Sequence, residues 1–191
     1  LVHRLERWAE SRMHLLLAED GYRDRFRLPH PVVPNSTPVP TAVPLPDRPV
    51  AVYVGHLTQA RGAAELVAVA RRLRELGSPV QVEAIGHADA PTTALLDSEP
   101  AITWHGFLPN SQALSLVEGS TAGLSLLHDQ PNYRHSRPTK VIEYMARGVP
   151  VVTTPTPPAK ALVEDNGCGL VVAFLDPMAA AEAVATLHAA P

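Results

Sequence analysis

Apolar and polar positions change rhythm twice along the chain. In the first stretch Leu1, Leu5, Trp8 and Ala9 lie near helical spacing, MHLLLA (Met13–Ala18) predicts a buried strand, and GYRDRF a short charged helix. So short a stretch cannot bury a core alone, so residues 1–28 are expected to be the remnant of another domain. Eight of the twenty prolines then crowd into residues 29–49, PHPVVPNSTPVPTAVPLPDRP. Proline fixes φ and removes a backbone donor, so this stretch is expected to be an extended interdomain linker.

From Pro49 onward apolar strands alternate with helices. PVAVYV (Pro49–Val54) predicts the first strand, followed by a helix over 63–76 with Leu66, Val69, Leu73 and Leu76 on one side. Strands follow at Val80–Ile85, Ile102–Trp104, Gly123–Leu127, Pro150–Thr153 and Leu170–Val172. Between and after them the pattern places a weak helix at Thr92–Leu96, one at Ser111–Glu118 with Ser111 as its cap, and others at Pro138–Arg147, Pro158–Val163 and Pro177–His188. The expectation for residues 50–191 is an α/β domain, a parallel sheet covered by helices on both faces. In such sheets ligands bind beyond the carboxyl ends of the strands, which directs the search to the loops there.

Two loops carry chemistry. VGHLTQARG (Val54–Gly62) lacks the G-x-G-x-x-G dinucleotide fingerprint, yet it sets Gly55 at a strand end and Arg61 at a helix start, where anions are favoured. Arg61 either holds a phosphate or is a solvated first-turn arginine; His56 is a weaker candidate. The second loop, NYRHSRPTKVIEYMARGVPVV, opens a helix at Pro138 after His135 and Ser136 and stops it at Gly148. Unpaired N–H groups and the positive end of the helix dipole lie at that start, and Arg134, Arg137 and Lys140 add full charges. Such an arrangement suits a pyrophosphate. Glu143, one turn in, either accepts from two ribose hydroxyls or pairs with Lys140 or Arg147 along the helix.

The totals narrow the function classes. A net charge of −3 argues against a nucleic-acid partner, and a single cysteine, Cys168, forms no internal disulfide and agrees with a reducing compartment. No apolar run approaches the ~18 residues of a membrane span and no signal-peptide pattern opens the chain, so a cytoplasmic location is expected, membrane-peripheral at most. The first residue is Leu1 rather than methionine, and a fragment is expected. The nine histidines are scattered without ligand spacing, so neither a metal nor a bound cofactor is expected. Trp104 and Cys168 read as core.

Taken in order, these segments resemble family 4 of the retaining glycosyltransferases, whose two Rossmann-like halves form the GT-B fold. VVPNST is similar to the linker motif, VAVYVGHLTQARG to the first strand and loop of the donor domain, and VEAIG, ITWHGFLP, GLSLL and VEDNGCGLVV to later pieces. RPTKVIEYMARGVPVV is the most specific match. The resemblance implies the carboxy-terminal half of the fold and transfer of a sugar from a nucleoside-diphosphate sugar with retention. The acceptor-binding half would be the missing partner, and the fragment alone would be inactive. It places ribose binding on Glu143, and contacts to the donor phosphates and sugar on Gly55, His56, Arg61, His135, Pro138, Thr139 and Lys140, with Arg61, His135 and Glu143 nearest the chemistry. Three positions depart from the family: His135 stands where its first motif glutamate falls, His56 where an arginine is expected, and VPNST lacks the turn glycine. Histidine at 56 would make one phosphate contact pH-sensitive. Two other readings fit the same residues: a nucleotide-sugar 2-epimerase half, and a degenerate module that binds nucleotide or a partner without catalysis. A receiver-type α/β domain lacks support, because no acidic cluster closes the first strand.

Overall fold

The computed structural model describes residues 2–190. Six parallel strands form one sheet in the order β3-β2-β1-β4-β5-β6: β1 (Arg48–Val54), β2 (Gln81–Ile85), β3 (Ile102–Trp104), β4 (Ser120–Ser125), β5 (Val151–Thr153) and β6 (Gly169–Val171). Seven α-helices accompany them: α1 (Val2–Glu10), α2 (Ala63–Glu75), α3 (Ala90–Asp97), α4 (Asn110–Val117), α5 (Thr139–Ala146), α6 (Pro157–Asn166) and α7 (Pro177–Ala189). The expected α/β sheet with helices on both faces is what the chain adopts.

The two faces follow from the period of two along a strand. Ala51 and Tyr53 of β1 point into one core with Leu66, Leu73 and Val184 of α2 and α7; Val50 and Val52 point into the other with Val117, Val141 and Val163 of α4, α5 and α6. Full burial of each such large apolar side chain contributes roughly 1.5–3 kcal/mol. In α7 the buried positions are mostly alanines, Ala180, Ala181 and Ala183, which lets this helix approach α2 and the sheet closely.

Strand order reverses between β1 and β4, from which the sheet winds outward in both directions. That position is where a crevice opens beyond the carboxyl ends of a doubly wound sheet. The β1–β4 ladder stops at Val52–Gly123, so the strands part above it. Tyr144 fills the gap. Its ring lies so close over Gly123 that a Cβ there would come within 2.3 Å of it, and its hydroxyl accepts the Val54 N–H at 2.9 Å and donates to the Leu124 carbonyl at 3.3 Å.

Several expectations need correction. Met13–Ala18 is not a strand: only Leu17 is paired, in a single parallel bridge with Val32, while Met13 and Leu16 are exposed. Leu76 lies past the end of α2 and is exposed rather than on its buried side. Ser111 caps nothing, since α4 begins one residue earlier after Pro109 without a side-chain cap. β4 runs over 120–125, not 123–127. Trp104 is only partly buried, its Nε1–H donating to the Gly86 carbonyl at 3.0 Å. Leu1, expected to begin the first helix, lies outside the described residues.

Before β1 the chain carries α1, a short 3-10 turn at Asp20–Arg25 and extended coil through the proline-rich stretch. Glu10 ties α1 to the start of that stretch, one carboxylate oxygen accepting from the Arg27 and Leu28 N–H groups at 2.7 and 2.8 Å. Val2, Leu5 and Trp8 of α1 stay exposed.

Candidate functional site

The crevice between β1 and β4 holds a cleft of about 390 Å³ lined by Gly55, Arg61, Pro138, Thr139, Lys140 and Glu143. Gly55 follows β1 with φ +134°, a conformation that L side chains rarely adopt. Arg61 ends a short 3-10 turn, and the next residue, Gly62, starts α2 at φ +84° with no room for a Cβ, which would sit 2.2 Å from the Leu126 carbonyl oxygen. Arg61 is thereby held beside the exit of β4. α5 points its amino-terminus into the cleft. Pro138 stands at its cap position without a side-chain hydrogen bond, which leaves the first helical N–H groups to solvent or ligand.

Lys140 has the most unusual environment in the site. It is 8% exposed, and its Nζ has no hydrogen-bond partner within the protein. The ammonium lies 3.4 Å from the centre of the Tyr53 ring, whose face favours a cation. Burial, and secondarily the Arg61 guanidinium, nevertheless push its pKa well below the ordinary lysine range, while Glu143 acts in the opposite direction. A buried ammonium that donates to no partner is costly, even with the Glu143 carboxylate lining the same cleft.

Glu143 is half-buried, and burial raises its carboxyl pKa against the lowering influence of Arg147 and Lys140. The helix-surface pairing it can make in principle is not formed. Arg147 donates instead to the Glu143 backbone carbonyl at 3.3 Å, and its guanidinium approaches Glu118 at 3.8 Å.

A second recess of about 300 Å³ adjoins the cleft through Val54, Gly55 and Asn110. Gly86, also at a positive φ of +137°, and the parallel-stacked rings of His87 and Phe107, 4.5 Å apart, form its flat apolar side. His56 is exposed and opens into this recess rather than the cleft. His135 is also outside the cleft. It lines a third recess with Glu19 and Gly21, one that shares only Arg137 with the cleft. Gly55, Arg61, Pro138, Thr139, Lys140 and Glu143 are therefore brought together, and His56 and His135 are not. Sequence reasoning missed Asn35, Asn110 and Tyr133, which also line the cleft, and the Tyr53 ring under Lys140. Asn35 lies inside the linker motif VVPNST; nothing in the pattern marked the others. Among the described residues no group of three or more His, Cys, Asp or Glu side chains is arranged to hold a metal ion. No helix there is long and apolar enough to cross a membrane.

A parallel sheet with its cleft at the order reversal, an uncapped helix start and clustered cations defines a doubly wound α/β domain with a cationic cleft beyond its strand ends. The sequence profile of the group 1 glycosyl transferases matches residues 48–190, and the chain belongs to that family. Among solved structures, a point mutant of S. aureus TarM in complex with fondaparinux, alpha-GlcNAc-glycerol and UDP superposes with a TM-score of 0.74 at 12% identity, over 94% of this chain and 38% of that one. Anabaena Alr3699/HepE in complex with UDP-glucose gives 0.72 at 17% identity, over 98% and 57%. The pneumococcal O-GlcNAc transferase GtfA in complex with UDP and GlcNAc gives 0.66 at 14%, over 94% and 39%. The fold is the Rossmann-like domain of GT-B glycosyltransferases, and the chain spans about two-fifths to three-fifths of the length of these structures. No curated protein matches the chain.

Proposed function

We propose that this chain is the donor-binding half of a retaining glycosyltransferase of the family-4 type, and that it binds a nucleoside-diphosphate sugar in the cleft between β1 and β4. The observation that carries the reading is the buried, unpartnered Lys140 ammonium beside Arg61 at the uncapped start of α5. A diphosphate supplies the acceptors that Lys140 Nζ lacks. The open N–H groups of α5 and the absence of a Cβ at Gly55 allow its oxygens close to the backbone.

Glu143, free of side-chain ion pairs, accepts from the ribose hydroxyls, and the flat recess beyond Gly55 takes the base, with His56 at its rim. As the glycosidic bond breaks, negative charge grows on the pyrophosphate and positive charge on the sugar. Arg61, Lys140 and the α5 terminus are already oriented to stabilise that leaving group, so no metal ion is required. His135, facing another recess, makes no contact with the diphosphate in this arrangement. That favours slow transfer, or a binding role alone, over efficient turnover. The acceptor and the groups acting on it belong to a second half, for which the exposed apolar side chains of α1 are a fitting contact surface.

The test is a thermal-shift and calorimetry panel of uridine, guanosine and adenosine diphosphates and their sugars against the bare nucleosides, since a ligand that binds only the folded state raises its stability. One diphosphate series binding well above its nucleoside is expected. Indifference to all of them overturns the reading.

A further inference from the structure

The segment before the proline-rich stretch packs against the loop that leads into α5. Glu19, only 5% exposed, reaches across to the residue that precedes Pro138. One carboxylate oxygen accepts the Arg137 N–H at 3.0 Å, and the other lies 4.0 Å from the Arg137 Nε. We propose that Glu19 is a positioning residue of the donor site: it anchors the backbone at 137 so that the Arg137 guanidinium is held at the cleft as a third cation for the diphosphate. The proposal rests on the donor-site reading above.

The geometry separates two roles of the same carboxylate. The bond to the backbone is short and buried, whereas the approach to the guanidinium is long and the Arg137 side chain is 48% exposed. An arginine held so loosely can leave Glu19 for a multiply charged ligand while the anchor stays in place. The anchor is needed because the loop has few others. A residue before proline is confined to extended backbone, and Pro138 has no N–H to tie the chain down. Gly21 braces the same loop a second time, packing on His135 so closely that a Cβ would lie 2.9 Å from the histidine Cβ. Arg137 itself lines both the cleft and the recess where Glu19 lies.

Two substitutions distinguish anchoring from charge. Glu19→Gln keeps an acceptor for the Arg137 N–H and removes the competing negative charge; Glu19→Ala removes both. Calorimetry of the chain with inorganic pyrophosphate, UDP and uridine reads the outcome. Glu19→Ala and Arg137→Ala are each expected to weaken pyrophosphate and UDP about tenfold, the scale of one charge-assisted contact. Uridine should be unaffected, and Glu19→Gln should bind pyrophosphate at least as well as the unaltered chain. The double alanine variant should lose no more than Arg137→Ala alone, because the two act through one contact. A loss in Glu19→Gln as large as in Glu19→Ala overturns the proposal, as does unchanged pyrophosphate affinity in Arg137→Ala, a variant that leaves the buried anchor intact. If the unaltered chain binds neither UDP nor pyrophosphate, the donor-site reading itself falls.

Discussion

Val54 at the end of β1 donates its N–H to the hydroxyl of Tyr144 on α5, at 2.9 Å. The bond replaces a rung of the sheet. Past Val52–Gly123 the ladder between β1 and β4 has ended, and a buried N–H there needs another acceptor. Tyr144 supplies one and turns the remaining hydroxyl hydrogen to Leu124, so the two strands are held apart by a side chain. The cleft is the space above that spacer.

Tyr144→Phe should therefore destabilise the protein by about 1–3 kcal/mol, the cost of leaving a buried polar group unpaired. Urea unfolding followed by circular dichroism measures it. A loss below about 0.5 kcal/mol would show that the Val54 N–H does not depend on the Tyr144 hydroxyl.

Glu143→Gln should stabilise the empty protein while weakening the nucleotide. Burial raises the folded-state pKa above the carboxyl's unfolded value of 4.5, so the contribution to stability is full below pH 4.5 and is lost as pH rises through the folded value. At pH 7 the ionised carboxylate is thus a liability that glutamine removes. The melting temperature of Glu143→Gln should exceed that of the unaltered protein at pH 7 and match it near pH 4. Nucleoside affinity should fall about ten- to a hundredfold, the scale of hydrogen bonds to a charged acceptor. Unchanged affinity would leave Glu143 as a helix-surface charge.

Lys140 predicts proton uptake on binding. Its pKa is depressed in the empty cleft, whose other titratable or charged groups are Tyr53, Arg61, Tyr133, Arg137, Glu143 and Tyr144. A diphosphate beside it raises that pKa, so at intermediate pH binding draws in a proton. Through Lys140, affinity should decline as pH rises through the bound-state value, while protonation of Glu143 weakens binding at the acid end. Calorimetry of UDP in buffers of different ionisation enthalpy reads the proton directly. Lys140→Met should abolish the uptake and weaken UDP far more than uridine. Equal uptake in both proteins would assign the proton elsewhere.

Binding should need no divalent cation, since the cleft is lined by Arg61, Lys140 and Arg137 rather than by paired carboxylates. UDP affinity should survive a chelator and fall with salt, partly exposed charges being screened within about 10 Å at 0.1 M. The chain alone should bind but transfer no sugar to acceptor or water. Loss of binding in chelator, or robust turnover, would contradict this account.

Much of this architecture is legible because a strand covered on both faces and a one-sided helix impose different periods. β1 and α2 show this clearly: Ala51 and Tyr53 alternate with Val50 and Val52, and Leu66, Val69 and Leu73 share one side. MHLLLA misleads because an apolar run predicts burial without naming what does the burying, and only Leu17 of that run is covered. β4 begins three residues earlier than its apolar stretch because Ser120 and Thr121 are buried with their hydroxyls bonded to the Leu116 and Arg48 carbonyls. In the site, Gly55, Arg61, Lys140 and Glu143 were accessible to reasoning, since helix starts and strand ends mark themselves. Asn35 and Glu19 were not. They come to the cleft wall and to the loop before α5 from about a hundred residues away, and no local spacing encodes such a meeting.

The proline-rich stretch has a mechanical consequence. Closely spaced prolines make an extended chain stiff over several residues, with a reach of about 3.1 Å per residue. One side of this strut is fastened by the Leu17–Val32 bridge, and three positions later Asn35 stands at the cleft. A slack tether absorbs the movement of whatever is attached to it. A short link leaves little slack: the three residues from Val32 to Asn35 reach at most about 10 Å, so this part of the cleft rim stays within that distance of the bridge to Leu17.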